Sequence, residues 1–286
     1  MALSTPSCAE LFHKFEASLH KDKSVLAAKR AANRLRKGTI EIGTVSTAAT
    51  YLSRARKLVE KERPDLLNDI YQLLCLPKTS YIERKSTYKK TVSKRHKAGQ
   101  VNIDMTALLN IAESELNEFG YIRRLLALII LTGRRPIEIL SSGEFSESKK
   151  SGHIVFEGQA KVKERVEGKR DIPVLLSPKI VLAALKKLRE EKADFVGLDN
   201  QTFNNRIAKQ CTEAVRRVYS IHNIDHAYAL RAAYACIAVE LFKPASYSAQ
   251  GYMSEILGHL EDDIQTASSY QRFSVSKTTN NEDKEC

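Results

Sequence analysis

The run Tyr121-Ile-Arg-Arg-Leu-Leu-Ala-Leu-Ile-Ile-Leu131 is the segment that most restricts how this chain can fold. Apolar residues cover most sides of the helix it would form, so other elements must enclose it. Its uninterrupted part, Leu125 to Leu131, is far shorter than the roughly 20 residues needed to span a bilayer. It is therefore expected to be the core helix of a globular domain. The N-terminal stretch MALSTPSCAELFHKFEASLHKDK lacks an apolar core of signal-peptide length, so neither export nor membrane insertion is expected. The five cysteines, Cys8, Cys75, Cys211, Cys236 and Cys286, form no CxxC pair. An odd, scattered set argues against disulfides and a zinc site and for a reducing, cytoplasmic compartment.

At 286 residues and 43% hydrophobic content, the chain is long enough for two domains, each with its own core. Charge divides it. The first hundred residues hold 21 Lys+Arg against 9 Asp+Glu and the remainder 25 against 25, so the whole net charge of +12 is N-terminal. A basic part joined to a neutral part suits a clamp on a polyanion beside a chemical domain. A merely solvated surface would carry the same charge, so the assignment needs further support.

From Cys8 to about Gln100 apolar residues recur at helical spacing, as in Leu11, Phe15 and Leu19, and no strand is expected. Lys37-Gly38 is expected to end one helix, Thr44 to Thr47 to cap the next, and Arg63-Pro64-Asp65 to separate that from a helix over Leu66 to Leu76. Arg84, Lys85, Lys89, Lys90, Lys94, Arg95 and Lys97 then place seven basic residues within fourteen. With little to bury, this stretch is expected to be a linker lying along a phosphate backbone. Beyond it come Asp104 to Ala112, the core helix, and a short helix from Ile137. Two alternating segments, Gly152 to Gly158 and Arg170 to Leu175, read as an antiparallel pair. Helices are expected over Lys179–Glu191, Gln201–Tyr219, Tyr228–Leu241, Ser248–Leu257 and Asp262–Tyr270, with a polar tail after Thr278.

Breaking a phosphodiester without a metal requires a nucleophile, groups that neutralise the nonbridging oxygens, and a proton donor for the departing 5′ oxygen. Arginine suits the second task through its planar fork, and lysine the third when neighbouring positive charge depresses its pKa. Leu131-Thr-Gly-Arg-Arg-Pro-Ile-Glu138 resembles the first arginine box of the tyrosine recombinases, which include phage integrases and chromosome dimer resolvases. The resemblance makes Arg135 catalytic, Arg134 a supporting phosphate contact and Glu138 a residue that positions the site. Gly158-Gln-Ala-Lys161-Val-Lys163 resembles the hairpin lysine segment of that family, one residue short. It implies Lys161 as general acid, with Lys163 as its rival. Tyr228-Ala-Leu-Arg231 matches the second arginine box with tyrosine in place of the usual histidine. Leu257-Gly-His259 followed by Ile264-Gln-Thr and Tyr270 resembles the closing motif, two residues longer than usual between His259 and Tyr270. His226, two places before Tyr228, would lie about 200° round a helix and receives no role.

The tyrosine at position 228 and the Thr-Gly-Arg-Arg-Pro and Gly-Gln-Ala-Lys runs are most similar to the telomere resolvase, or protelomerase, branch. The resemblance implies a mainly α fold with a small antiparallel β-hairpin or sheet. It covers a tyrosine recombinase catalytic domain over 103–276, while charge and periodicity lead us to expect a helical DNA-binding domain over 1–83, a basic linker over 84–102 and a polar tail over 277–286. Tyr270 would attack the phosphorus to give a 3′-phosphotyrosine, Arg135 and Arg231 would stabilise the charge, and Lys161 would protonate the leaving oxygen. His259 and Tyr228 would assist. No cofactor or metal is implied. The partner is double-stranded DNA at a pseudo-palindromic site, bound by a homodimer, or by a tetramer if duplexes recombine, in association with nucleoid, phage or plasmid DNA. Hairpin formation, recombination of two duplexes, type IB topoisomerase activity and silent DNA binding stay open at this point.

Overall fold

The structure is a computed structural model that describes residues 6–21, 24–97, 99–160, 168–258 and 270–276, with residues 88, 91, 92 and 94–97 described in backbone only. It divides into two compact units, Met1–Ala98 and Gly99–Cys286, each with its own core.

The first unit is helical: α1 (Cys8–Lys21), α2 (Val25–Ile42), α3 (Val45–Glu62), α4 (Leu67–Ile70) and α5 (Lys78–Lys97). Phe12, Phe15 and Leu19 of α1 meet Ala28, Ala32 and Leu35 of α2 and Leu52, Ala55 and Val59 of α3. Phe15, Leu19, Ala32 and Leu35 follow the helical spacing, whereas Val25 and Leu26, expected on the same stripe, are exposed at the start of α2. Thr44 caps α3 by accepting from Thr47 N at 3.1 Å. Gly38 does not end a helix. It lies inside α2, where a Cβ would come within 2.6 Å of Leu11 Cδ1, so a larger residue would need that side chain to move. Leu66 to Leu76 is not one helix either. It breaks into the 3-10 turn Pro64–Leu66, α4, and the 3-10 turn Gln72–Leu74, whose last carbonyl accepts from Arg56 Nη1 at 2.6 Å. The basic stretch from Arg84 is helix α5 over most of its length, with Arg84, Lys85, Lys89 and Lys90 exposed.

The second unit contains α6 (Met105–Asn117), α7 (Tyr121–Thr132), α8 (Pro178–Glu191), α9 (Asn200–Val218), α10 (Ala227–Phe242) and α11 (Ala249–Leu257). Helix α7 is buried on nearly every side, as its composition requires, and packs against α6, α8, α9 and α10. Its one interior cation, Arg124, donates to Leu116 O and pairs with Glu191 at 2.5 Å. Gly133 then ends α7 in the left-handed region at a φ of 65°, where a Cβ would strike the buried Tyr234 ring. The expected antiparallel pair is β3 (His153–Glu157) with β4 (Arg170–Pro173), in the register Ile154 to Ile172. A third strand, β2 (Glu144–Glu147), joins β3. It was not anticipated because only Phe145 of its four residues has an apolar side chain, and this packs 5.2 Å from the Phe156 ring.

The parallel pair β1 (Val101–Asp104) and β5 (Phe273–Ser276) was also unanticipated. Each strand has four residues, and their pairing lies far apart in sequence, beyond the reach of local pattern. β1 begins inside the segment expected to be linker. It buries Ile103, and Asp104 caps α6 by accepting from Ala107 N at 3.1 Å. The expected helix over Asp262–Tyr270 lies outside the described residues except at its last position, where Tyr270 stands in a turn leading into β5. The expected polar tail lies outside them too. No helix among the described residues is long and apolar enough to cross a membrane.

A fragment of residues 99–286 should unfold cooperatively in urea. Starting it at residue 105 should cost roughly 2–4 kcal/mol, the scale of one buried isoleucine plus one helix cap. Equal stability of the two fragments would mean that β1 contributes nothing.

Candidate active site

The arginine boxes and the hairpin meet at one carboxylate. After α7, the chain turns through Gly133, Arg134, Arg135 and Pro136 into a π-helical turn, Glu138–Ser142, whose backbone carbonyls at Glu138 and Ile139 accept from Arg189 of α8. Glu138 is fully buried. Its Oε1 accepts from Arg135 Nη1 at 2.6 Å and from Ala160 N at 3.1 Å, and its Oε2 accepts from Arg135 N at 2.8 Å. Arg231 Nη1 lies 3.7 Å from Oε2. Burial alone would raise this carboxyl's pKa, but Arg134, Arg231 and Arg135 together hold it below the ordinary range. Glu138 is therefore an anion at neutral pH, and it organises cations rather than moving protons.

Arg231 stands in the first turns of α10, almost wholly enclosed. It donates to Gly133 O at 2.7 Å and to Leu257 O at 2.8 Å, tying the end of α7 to the end of α11. Arg134, expected as a phosphate contact, lies entirely inside. It donates to Thr132 O and Ile256 O, and its guanidinium carbon lies 4.9 Å from the centre of the Phe156 ring. Burial first, and Arg231 second, push its pKa down to about 9, with Glu138 opposing, so it stays charged at neutral pH. Arg134 Nη1 and Arg231 Nε have no hydrogen-bond partner among the described residues. A buried donor left unmade costs about 1–3 kcal/mol, which an anionic oxygen would relieve.

Arg135 is the more accessible of the cations around Glu138, with 21% of its side chain exposed, and it also donates to Ala160 O at 3.1 Å. Gln159, next to Ala160, donates through Nε2 to Gly258 O at 2.5 Å, and Arg170 of β4 donates to its Oε1. Gly258 has a φ of 69°, and a Cβ there would collide with Gln159 and Arg170. The Leu-Gly-His element therefore needs its glycine both for conformation and for space.

Tyr270 is buried. Its ring lies 5.9 Å from the Arg231 guanidinium carbon and 5.1 Å from the ring of half-exposed Tyr228, which stacks in turn on His226. Its backbone is fixed from two sides. Cys236 Sγ donates to Tyr270 O at 3.3 Å, and Arg272 O accepts from Val101 N at 3.0 Å just before the β1–β5 ladder begins. Arg135, Arg231, Tyr228 and Tyr270 are thus brought together, with Arg134 behind them. Lys161, Lys163 and His259 lie outside the described residues, as do the side chains of Lys94, Arg95 and Lys97. Sequence reasoning missed Gln159, Arg170, Arg189 and Cys236. Gln159 stood inside the quoted Gly-Gln-Ala-Lys run, whereas Arg170 and Arg189 look like ordinary surface cations until the fold turns them inward.

Comparison with known proteins places this arrangement. A family profile described as the telomere resolvase ResT/TelK catalytic domain matches residues 100–273. The telomere resolvase ResT of Borreliella burgdorferi is 26% identical over 180 residues, covering 60% of this chain and 39% of that protein. The protelomerase of Yersinia phage PY54 is 31% identical over 170 residues, covering 52% of this chain and 26% of that protein. The chain therefore spans about two-fifths of the first relative and about a quarter of the second. Among solved structures, a variant of protelomerase TelA covalently complexed with substrate DNA superposes with a TM-score of 0.79 at 23% identity, covering 96% of this chain and 91% of that one. The mainly α architecture with its small antiparallel sheet is the one that the resemblance implied.

Because the Glu138 pKa is depressed on folding, its contribution to stability is complete above the unfolded value of 4.5 and is lost as pH falls through the lower folded value. Glu138→Gln should remove that acid-side loss from the pH profile of urea midpoints. Glu138→Ala should cost about 3–5 kcal/mol by leaving the guanidinia without their counter-charge. An unaltered pH profile in the glutamine variant would show that another group governs it.

Proposed function

Because the chain belongs to the telomere resolvase ResT/TelK catalytic family, we propose that it cleaves and rejoins DNA strands through a 3′-phosphotyrosine and forms covalently closed hairpin ends. The observation that carries this reading is the enclosure of Tyr270 beside Arg231 and Tyr228, with Arg231 and Arg135 joined through Glu138. A nonbridging phosphate oxygen would be met by the partly exposed Arg135 guanidinium, with Arg231 beside Tyr270 as the second cation and the buried Arg134 behind them. A protelomerase TelA variant solved with a DNA hairpin product supports the product assignment by likeness of fold.

In this mechanism, Tyr270 Oη gives its proton to solvent and forms a bond to phosphorus, while the bond from phosphorus to the 5′ oxygen breaks and that oxygen takes a proton from Lys161. The 5′ hydroxyl of the opposite strand then attacks phosphorus, giving its proton to Lys161, while the bond from phosphorus to Tyr270 Oη breaks and Tyr270 regains a proton from solvent. Bond energy is conserved, so no nucleotide cofactor is required. Lys161 is favoured over Lys163 because it directly follows Ala160, whose N–H and carbonyl are held by Glu138 and Arg135. Tyr228 and His259 complete the set as hydroxyl and imidazole donors to the phosphate. The partner is a pseudo-palindromic duplex handled by two protomers, one for each strand cut. Exposed cations of α5 would neutralise its backbone.

Tyr270→Phe should bind DNA as before but yield no protein–DNA adduct on denaturing gels; adducts that persist would overturn the nucleophile assignment. Arg135→Ala or Arg231→Ala should slow cleavage at least about a hundredfold, the scale of one lost charge contact in the transition state. On a palindromic duplex from the chain's own replicon, a strand of doubled length after denaturation supports hairpin closure. Exchange between two duplexes would instead make the chain a recombinase. Neutralising Lys89, Lys90, Lys94 and Arg95 together should flatten the salt dependence of binding by roughly 0.9 log units per lost phosphate contact. An unchanged slope would remove α5 from the DNA interface.

A further inference from the structure

Three consecutive carbonyls at the end of α11 are each held by a different side chain. Arg134 donates to Ile256 O, Arg231 to Leu257 O and Gln159 to Gly258 O. The two arginines belong to the cluster around Glu138. Gln159 is uncharged, lies just after β3, and reaches a residue ninety-nine positions away.

The chemistry leaves one orientation for its amide. Arg170 can only donate, so Gln159 Oε1 must face it, and Nε2 is then directed at the Gly258 carbonyl. The next residue is held as firmly, since Ala160 N donates to Glu138 Oε1 and Ala160 O accepts from Arg135. Gly258 is shaped to this contact, because any Cβ there would displace the Gln159–Arg170 pair. Lys161 follows Ala160 directly, and His259 follows Gly258 directly.

We propose that Gln159, oriented by Arg170, is a positioning residue that joins the segment ending at Ala160 to Gly258 of the Leu-Gly-His element, so that protonation of the leaving oxygen depends on it. The inference rests on the reading of a hairpin lysine as general acid. Gln159 touches no reacting atom. Its loss leaves the hydrogen bonds of Arg135 and Arg231 in place and removes only the link between Gln159 and Gly258, and imperfect positioning costs about a hundredfold in such a reaction.

The test uses the full chain in single-turnover cleavage of two duplexes, one with a normal phosphodiester and one with sulfur as the bridging 5′ leaving atom, which departs without protonation. Gln159→Ala and Gln159→Glu should each slow cleavage of the normal duplex by roughly ten- to a hundredfold, with DNA affinity unchanged. Each should cleave the sulfur-bridged duplex at close to the rate of the unsubstituted protein. The glutamate variant is informative because it can keep Arg170 but cannot donate to Gly258 O. An equal defect on both duplexes, or no defect on the normal one, would overturn the proposal. Lys161→Ala and Lys163→Ala run in parallel separate the two readings. If one lysine variant is rescued by sulfur and the Gln159 variants are not, the positioning role alone fails. If the Gln159 variants are rescued and neither lysine variant is, the positioning role stands and the acid is another group on the hairpin. If none is rescued, both fail.

Discussion

The buried carboxylate of Glu138 sets the geometry on which the rest of the second unit depends. A lone carboxylate enclosed this deeply would take up a proton. Three arginines converge on it instead, and their combined field keeps it ionised against the cost of burial. The converse holds for Arg134: burial and the neighbouring Arg231 lower its pKa, and Glu138 opposes them. Removing the carboxylate would not delete one contact but would leave like charges facing each other in the interior.

From that centre the constraint spreads outward through backbone groups. Glu138 fixes the start of the hairpin turn through Ala160 N, and Arg231 fixes the ends of α7 and α11 through Gly133 O and Leu257 O. The last carbonyls of α11 carry the negative end of its dipole, which favours cations there. In the proposed mechanism Arg231 would both brace the helix end and stabilise the phosphate, so stability and chemistry would draw on the same side chain. The β1–β5 ladder adds a tether beyond the reach of this network, holding the segment immediately after Tyr270 to the start of the unit.

Sequence carried the skeleton of this arrangement further than its interior wiring. The all-round apolar character of α7, the turn at Gly133, and the positions of Arg135, Arg231 and Tyr270 are local signals, and the structure sets those three residues within one site. What local pattern could not supply was partnership at long range. β1 and β5 are four residues each and gain meaning only by pairing across the whole unit. Gly38 looks like a helix end by residue type, yet α2 runs through it to Ile42 with Leu11 of α1 beside it. Arg134 has the appearance of a surface cation beside a catalytic one, and only the fold turns it toward Ile256 O. Charged residues are read from sequence as exposed unless a partner is visible, and here the partners are backbone carbonyls, which no motif records.

The central claim is that Glu138 and the arginines form one energetic unit. It is tested most directly by a double-mutant cycle between Glu138→Gln and Arg231→Gln, read as urea unfolding of residues 99–286 at neutral pH by circular dichroism. The account predicts strong coupling, with the double variant departing from the sum of the single effects by about 1–3 kcal/mol. Strict additivity of the two substitutions would contradict it.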